Sequence, residues 1–472
     1  DGRAAWLVDH EAQLRMRYDG LKAWDAQGQP VDARLASSPI GFGVRVNDEG
    51  AHYPITVDPV LAAAPLILTG TLGHSGFGER VSTAGDVNGD GYSDVLIVEI
   101  FYDGPELDEG RILLYHGAAN GLNTSPAWQF EGNFASGSLG QGIGPAGDVN
   151  GDGFDDVILG HTYLSNPTSA PGCGGDCGEV SLYLGSSVGL AAAPVWKWSG
   201  GQSGANYGYS CATAGDVDGD GLDDVIIGAR FYDSPGFTND GAAFVFLGTL
   251  SGNLGTIPDW EQFGGENQAL FGSSVTTAGD ADADGFADIA VGAPLDSPTD
   301  KGRVWFYRGS STGPLTSAIQ LCPVPVGSSY LYGQSVSCAG DVNGDGFADL
   351  FVGADRGDVG LNNVGHVYVH LGRSVANGTI DGTPFDQQWG GQTDGFLGHS
   401  VAPAGDVNGD GFADLVYGEP AFLTSAPGNA YLFLGRSTAS LTRDLLITGV
   451  AGDALGKCVS TAGDVNGDGF AD

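Results

Sequence analysis

The chain has 472 residues with 58 Asp or Glu against 18 Lys or Arg, and its formal net charge of −40 repels phosphate backbones and anionic lipid, which excludes nucleic-acid and membrane-surface binding. Of the acids 47 are Asp and only 11 Glu; Glu would favour helices, whereas Asp belongs in loops and around hard cations, so the expected partner of this surface is a cation. With 82 Gly, 41% hydrophobic residues in short runs, and no apolar run near the roughly 20 residues of a membrane span, the composition reads as all-β with a core and no membrane span in this stretch of chain.

Residues 1–60 stand apart. WLVDHEAQLRMRYDGLKAW and GFGVRVNDEGAHYPITVDP alternate apolar and polar residues between turns, and residues 1–60 hold six of the 18 basic residues. They predict a small β-rich segment, the end of an upstream domain, with no acidic loop.

Across residues 61–472 one nine-residue pattern, DVNGDGFAD at 341–349, returns seven times, starting at Asp86, Asp148, Asp216, Asp280, Asp341, Asp406 and Asp464 with gaps of 62, 68, 64, 61, 65 and 58 residues. So even a period means repeated supersecondary units. In the third unit Tyr207-Gly208 opens a strand YSCATAG, the loop at 216–224 follows, and then come the strands DVIIGA, GAAFVFLG and PDWEQFG with turns between. Four short strands per unit, none able to stand alone, predict blades packed face to face in a seven-bladed β-propeller.

Positions one, three, five and nine of each loop carry side-chain oxygens and position seven offers its backbone carbonyl, a set that wraps a hard cation taking six to eight oxygens at roughly 2.3–2.6 Å, the requirement of Ca²⁺. The candidate ligands are Asp86, Asn88, Asp90, Tyr92 and Asp94 in loop one; Asp148, Asn150, Asp152, Phe154 and Asp156 in loop two; Asp216, Asp218, Asp220, Leu222 and Asp224 in loop three; and Asp280, Asp282, Asp284, Phe286 and Asp288 in loop four. Loop five offers Asp341, Asn343, Asp345, Phe347 and Asp349, loop six Asp406, Asn408, Asp410, Phe412 and Asp414, and loop seven Asp464, Asn466, Asp468, Phe470 and Asp472. Gly occupies position six in all seven, where the chain must turn sharply. An EF-hand would need a bidentate Glu at position twelve; Ile97, Leu159, Ile227, Val291, Val352 and Tyr417 stand there, so position nine is expected to close the site. A solvated Asp/Asn/Gly turn is the competing reading of one such loop, but seven copies with carboxylates in step favour up to seven Ca²⁺, bringing the formal charge from −40 to −26.

Aromatic-Gly or Leu-Gly precedes each loop (Phe77-Gly78, Leu139-Gly140, Tyr207-Gly208, Phe271-Gly272, Tyr332-Gly333, Leu397-Gly398, Leu455-Gly456), and Gly160, Gly228, Gly292, Gly353 and Gly418 follow at a constant offset, with Val98 in unit one. Unit four spells Gly292-Ala293-Pro294. The array resembles FG-GAP repeats, which build the propeller head of integrin α chains and related bacterial secreted proteins. That resemblance implies a non-enzymatic, extracellular or cell-surface protein whose variable loops, opposite the metal face, bind partners. Those loops are residues 99–109, 161–177, 230–240, 293–301, 354–364 and 419–427. Because the chain stops in the seventh loop, its last blade is expected to be truncated, with PLILTG at 65–70 supplying that blade's outer strand.

Catalytic patterns fail in context. Two GxSxG matches, at 185–189 and 309–313, fall in the turn after a third strand rather than at a strand-to-helix elbow. His366 and His370 lie in a strand without a third ligand and read as a structural pair. Cys173 and Cys177 in PGCGGDCG suit a local disulfide, with a zinc site lacking two further soft ligands as the rival; Cys211, Cys338 and Cys458 read as small core residues. Trp128, Trp196, Trp260 and Trp389 recur in fourth strands, pointing to blade packing rather than a sugar platform, and Arg356-Gly357-Asp358 is an RGD triplet explained as well by chance. Three functions follow in order: a calcium-rigidified adhesion or recognition propeller for a protein or glycan ligand, a non-catalytic module of a larger secreted enzyme, and a carbohydrate-binding lectin.

Overall fold

The computed structural model describes residues 66–472 except 71–74, 133–138, 166, 168, 171–172, 297–300, 323–330, 357–362, 375–379, 381–385, 390–391 and 438–443, and before residue 66 only strands. The chain divides into two units, Asp1–Thr69 and Gly70–Asp472. In the first, Ala5–Val8, Leu14–Tyr18 and Leu61–Ala63 form a three-stranded antiparallel sheet, Lys22–Trp24 pairs with Thr56–Asp58, and Asp32–Ser38 forms a hairpin with Gly41–Asn47.

The second unit is a β-propeller. Among the described residues six four-stranded antiparallel sheets each run strand one to strand four in sequence order: the third, for example, is Tyr207–Gly215, Asp224–Ala229, Ala242–Phe246 and Trp260–Phe263. No helix occurs among the described residues, hence none long and apolar enough to cross a membrane. The core is distributed between blades rather than within them. In the second strand of blade three, wholly buried, Val225, Ile227 and Ala229 face blade two's Trp196 and Trp198 while Ile226 faces blade four's Val291 and Tyr307. A strand with an apolar blade on both sides carries apolar residues on both faces, the continuous run Val225–Ile227 that follows Asp224 in the sequence.

Six blades, not seven, correct the expected count: the seventh unit contributes its loop but no strand. Residues 455–472 supply the length of one first strand and a loop, and no second strand against which to form a ladder. They nonetheless lie between the first and last blades. The Val459 N–H donates to Ser400 Oγ at 3.0 Å on one side, and Val81 N–H lies 3.4 Å from Cys458 Sγ on the other. The expectation of an outer strand at 65–70 is not met either: residues 66–70 form no strand, with Leu66 and Ile67 exposed, and Pro65 lies outside the described residues.

The glycine of the second strand in blades two to six sits where blades come closest. A Cβ built on Gly228 would lie 2.1 Å from the carbonyl oxygen of Gly272 and 2.3 Å from Ser210 Oγ, and Gly160, Gly292, Gly353 and Gly418 meet the next unit's Gly208, Gly333, Gly398 and Gly456 in the same way. Gly228→Ala is therefore expected to cost about 3 kcal/mol or prevent folding. Gly174→Ala, where a Cβ meets nothing within 4 Å, should change stability by less than about 0.5 kcal/mol. Urea unfolding midpoints of the two variants decide this, and equal midpoints would remove the close-approach explanation.

Candidate metal centres

Each of the first six acidic loops joins the first and second strands of its blade. Before it, the strand pairing slips at a β-bulge, between Thr83 and Gly85, Pro145 and Gly147, Thr213 and Gly215, Thr277 and Gly279, Cys338 and Gly340, and Pro403 and Gly405 in the six blades. The glycine is left-handed in every case, φ being +73° at Gly85 and +74° at Gly215, so the Ala-Gly pair before the first Asp ends the ladder and turns the loop out of the sheet.

The carboxylates then organise the loop's own backbone. In loop five the Asp341 carboxylate accepts from Asp345 N at 3.0 Å and Gly346 N at 2.8 Å, Asn343 Oδ1 from Asp345 N at 2.8 Å, and Asp345 Oδ1 from Phe347 N at 3.1 Å. The bonds to position one recur in all seven loops, from Asp90 and Gly91 in the first to Asp468 and Gly469 in the seventh. Position one is half-buried and position five exposed throughout, and position three ranges from buried Asn150 and Asp282 to exposed Asn408.

Position nine lies deepest. Asp94, Asp156, Asp224, Asp288, Asp349 and Asp414 are buried, each accepting from the N–H of position two and from that of the glycine after the third strand, as Asp349 does from Val342 at 3.0 Å and Gly372 at 2.9 Å. Burial pushes the carboxyls of Asp94, Asp156, Asp224, Asp288 and Asp349 up to about 7 and that of Asp414 to about 6. Backbone amides alone therefore do not offset the desolvation of these anions, and a cation shared with positions one, three and five would. Asp472 differs: it is exposed, since no third strand covers it.

Oxygens alone make up the donor set in every loop, which fits a hard divalent cation. Among the described residues Asp216, Asp218 and Asp224, and likewise Asp280, Asp282 and Asp288, place carboxylate oxygens within 4.8 Å of one another. These are the two loops with Asp in place of Asn at position three. They differ in their surroundings: Arg308, from the turn after the third strand of blade four, donates from Nε to Asp282 Oδ2 and from a terminal nitrogen to Asp284 Oδ2, both at 2.5 Å.

Two positions that sequence reasoning passed over prove to join the loops. The N–H of position eight donates to the position-one carbonyl of the preceding loop at all seven junctions, from Asp155 to Asp86 at 3.2 Å through Ala471 to Asp406 at 3.2 Å, and Ser93 to Asp464 at 2.9 Å closes the ring. Where position eight is acidic its carboxylate adds a bond, Asp155 Oδ2 to Asp86 N at 2.7 Å and Asp223 Oδ2 to Asp148 N at 2.9 Å. The side chain at position seven, named only for its carbonyl, covers the position-four glycine of the preceding loop: Phe154 on Gly89, Leu222 on Gly151, Phe286 on Gly219, Phe412 on Gly344, Phe470 on Gly409 and Tyr92 on Gly467. The near-constant aromatic or Leu at position seven was the available signal.

Other sequence expectations find plain structural roles. Cys173 and Cys177 form a disulfide. His370 bonds Tyr332 Oη at 2.6 Å, and His366 stacks on Tyr368. In the two GxSxG segments the Gly189 N–H bonds the Ser186 carbonyl and the Gly313 N–H the Ser310 carbonyl, closing turns. Fourth-strand tryptophans clamp the next blade, Trp128 Nε1 donating to Ala191 O, Trp196 Nε1 to Gly255 O and Trp198 Nε1 to Thr256 O, and Trp260 lies edge-on to Tyr307. The side chain of Trp389, and Gly357 and Asp358 of the RGD triplet, lie outside the described residues. At the opposite end of the first strands a cavity of about 260 Å³ is lined by residues including Arg80, Gln141, Tyr209, Gln334, His399 and Cys458.

Comparison with known proteins agrees with this geometry. The FG-GAP repeat model matches residues 207–246, 271–307, 333–370 and 397–433, and an FG-GAP-like repeat model matches 83–159. Integrin alpha-PS2 of Drosophila melanogaster is 32% identical over 240 residues, 49% of this chain and 16% of that protein. Integrin alpha-5 of Xenopus laevis is 33% identical over 189 residues, 39% of this chain and 18% of its own. The chain thus spans less than a fifth of these relatives. A solved rhamnogalacturonan lyase, PL11 of Bacillus licheniformis, aligns at TM-score 0.37 and 13% identity over 96% of this chain and 82% of that one, a likeness too slight to carry function.

The interlock of neighbouring loops has a direct test. A Cβ on Gly344, whose φ is +78°, would meet the Phe412 ring at 2.6 Å. Gly344→Ala should therefore cost at least about 1 kcal/mol less in a Phe412→Ala background than in the wild type, the backbone strain being common to both. A double-mutant cycle in urea measures that coupling, and additive effects would show that the ring does not press on the glycine.

Proposed function

This chain is an FG-GAP repeat protein with an integrin α-like array, and on that premise we propose that it is a calcium-rigidified adhesion or recognition module acting outside the cell. The observation that carries the reading is the interlocked circle of seven oxygen-lined loops on one face, with their buried position-nine carboxylates pushed far above the usual range in six of them. Positions one, three, five and nine, with the carbonyl of position seven, would hold the cations. A bound Ca²⁺ supplies charge neutralisation there; the chain's own residues turn the loop and lock it to its neighbour. The ions staple rather than signal, because six of the loops lie between two strands of one sheet and none has a helix pair to open.

Antiparallel connection puts the loops between second and third strands at the other end of the blades, away from the acidic face. They vary in length and sequence while the acidic loops do not, which is the division expected of a scaffold and its binding surface. The ligand, in this reading, is a protein or a glycan met by those loops. Tryptophan side chains committed to blade packing count against a sugar platform in the fourth strands.

At the affinities typical of extracellular modules, about 10⁻⁴–10⁻³ M, each site adds on the order of 1 kcal/mol in millimolar calcium. Transfer from 2 mM CaCl₂ into EDTA should therefore lower the thermal midpoint of the propeller by about 5–10 °C. A midpoint indifferent to the chelator would sink the calcium reading.

A further inference from the structure

We propose that the fourth loop takes no calcium because Arg308 is its built-in counter-ion: the guanidinium, bonded to Asp282 and Asp284, stands in for the cation that the other loops bind. The inference rests on the calcium reading of those loops. It concerns one of the two loops richest in carboxylates, since loops three and four alone carry four.

The comparison between blades makes the case. In every blade the glycine whose N–H bonds position nine is preceded by one residue that ends the third strand or follows it directly. That residue is His116, Leu184, Leu247, Arg308, Leu371 and Leu434 in blades one to six, before Gly117, Gly185, Gly248, Gly309, Gly372 and Gly435. Four of the six are leucine, which offers nothing to a carboxylate. Only blade four presents a permanent cation there, and its two nitrogen contacts go to two different carboxylates of the ligand set, positions three and five. The Asp282 side chain is fully buried and that of Arg308 is 25% exposed, so the pair is shielded from water.

Charge arithmetic points the same way. Loop three presents Asp216, Asp218, Asp220 and Asp224 with Leu247 beside it, so no side chain at that place engages its carboxylates ahead of an incoming divalent cation. Loop four presents Asp280, Asp282, Asp284 and Asp288 with one charge already neutralised and two ligand oxygens already engaged. For calcium to bind, Arg308 would have to leave both partners and be rehydrated, and like charges would then sit within one shell of each other. Loop four also departs at position four, where Ala283 takes φ +56° in place of the glycine of its neighbours.

The test counts calcium. Equilibrium dialysis of chelator-stripped protein against CaCl₂ gives the wild-type stoichiometry. Arg308→Leu, which installs the residue of blades two, three, five and six, should raise it by one, and Leu247→Arg in blade three should lower it by one. In EGTA, Arg308→Leu should melt below the wild type, and millimolar CaCl₂ should close the gap. Equal calcium counts in wild type and Arg308→Leu, together with an unchanged loop-three count in Leu247→Arg, would overturn the proposal. Should Arg308→Leu fail to fold without calcium, the Leu247→Arg count decides. If the wild type binds no calcium at all, the calcium reading falls. The Arg308 assignment then stands as a structural counter-ion only if Arg308→Leu melts lower in EGTA, and falls with that reading if the midpoints coincide.

Discussion

One hydrogen bond, repeated around the ring, governs this propeller: the position-eight N–H of each acidic loop donates to the position-one carbonyl of the loop before it. Seven such bonds run from Asp155–Asp86 to Ser93–Asp464. A second set joins the turn after each third strand to the carbonyl of position two of the preceding loop, as Ser186 N does to Val87 O and Thr249 N to Val149 O, both at 3.0 Å. Each bond contributes about 1 kcal/mol. Their larger effect is geometric, because they fix the rotation between consecutive blades, and every apolar layer between blades depends on that rotation. The short unit at 455–472 donates and accepts the first bond and accepts the second, from Ala118 N to Val465 O, so the circle of loops closes although only six blades are complete among the described residues.

The same arrangement concentrates negative charge. Position one is bent inward to hold amides, position nine is buried to receive the turn from the third strand, and position five remains at the surface. Burial desolvates the position-nine groups and drives them upward, the neighbouring carboxylates add to that, and the local hydrogen bonds offset only part of it. Two remedies are open to such a loop: a mobile divalent cation, or a tethered monovalent one. Arg308 in blade four is the second. The two remedies differ in consequence, since the first makes folding depend on the surrounding ion concentration and the second does not.

Much of this was legible in the sequence. The period, the four-strand plan and the oxygen spacing each follow from local rules: alternation, turn chemistry, and the oxygen demand of a hard cation; the Gly of the second strand was visible as a recurrence, but its reason lies in the next blade. Residues whose meaning lies between blades were not legible. Asp155 and Asp223 at position eight looked variable, yet each caps the backbone of a loop about 70 residues earlier, Asp86 and Asp148. Phe412 was read for its carbonyl, whereas its ring covers Gly344. Arg308, an ordinary turn residue in sequence, reaches the carboxylates of a loop more than twenty residues away.

By itself the sequence determined the all-β class, the unit and the acidic loop, because these depend on residues near one another in the chain. The tertiary structure decided where the seventh unit packs, the ring that the loops form, and which loop carries its own cation. Those depend on which surfaces meet when units stack. A repeat pattern describes each unit alone, whereas a blade needs a partner strand for every edge and a loop needs to know what charge is set beside it. Residues 455–472 carry the pattern without the strands, and Arg308 carries the charge without belonging to the pattern.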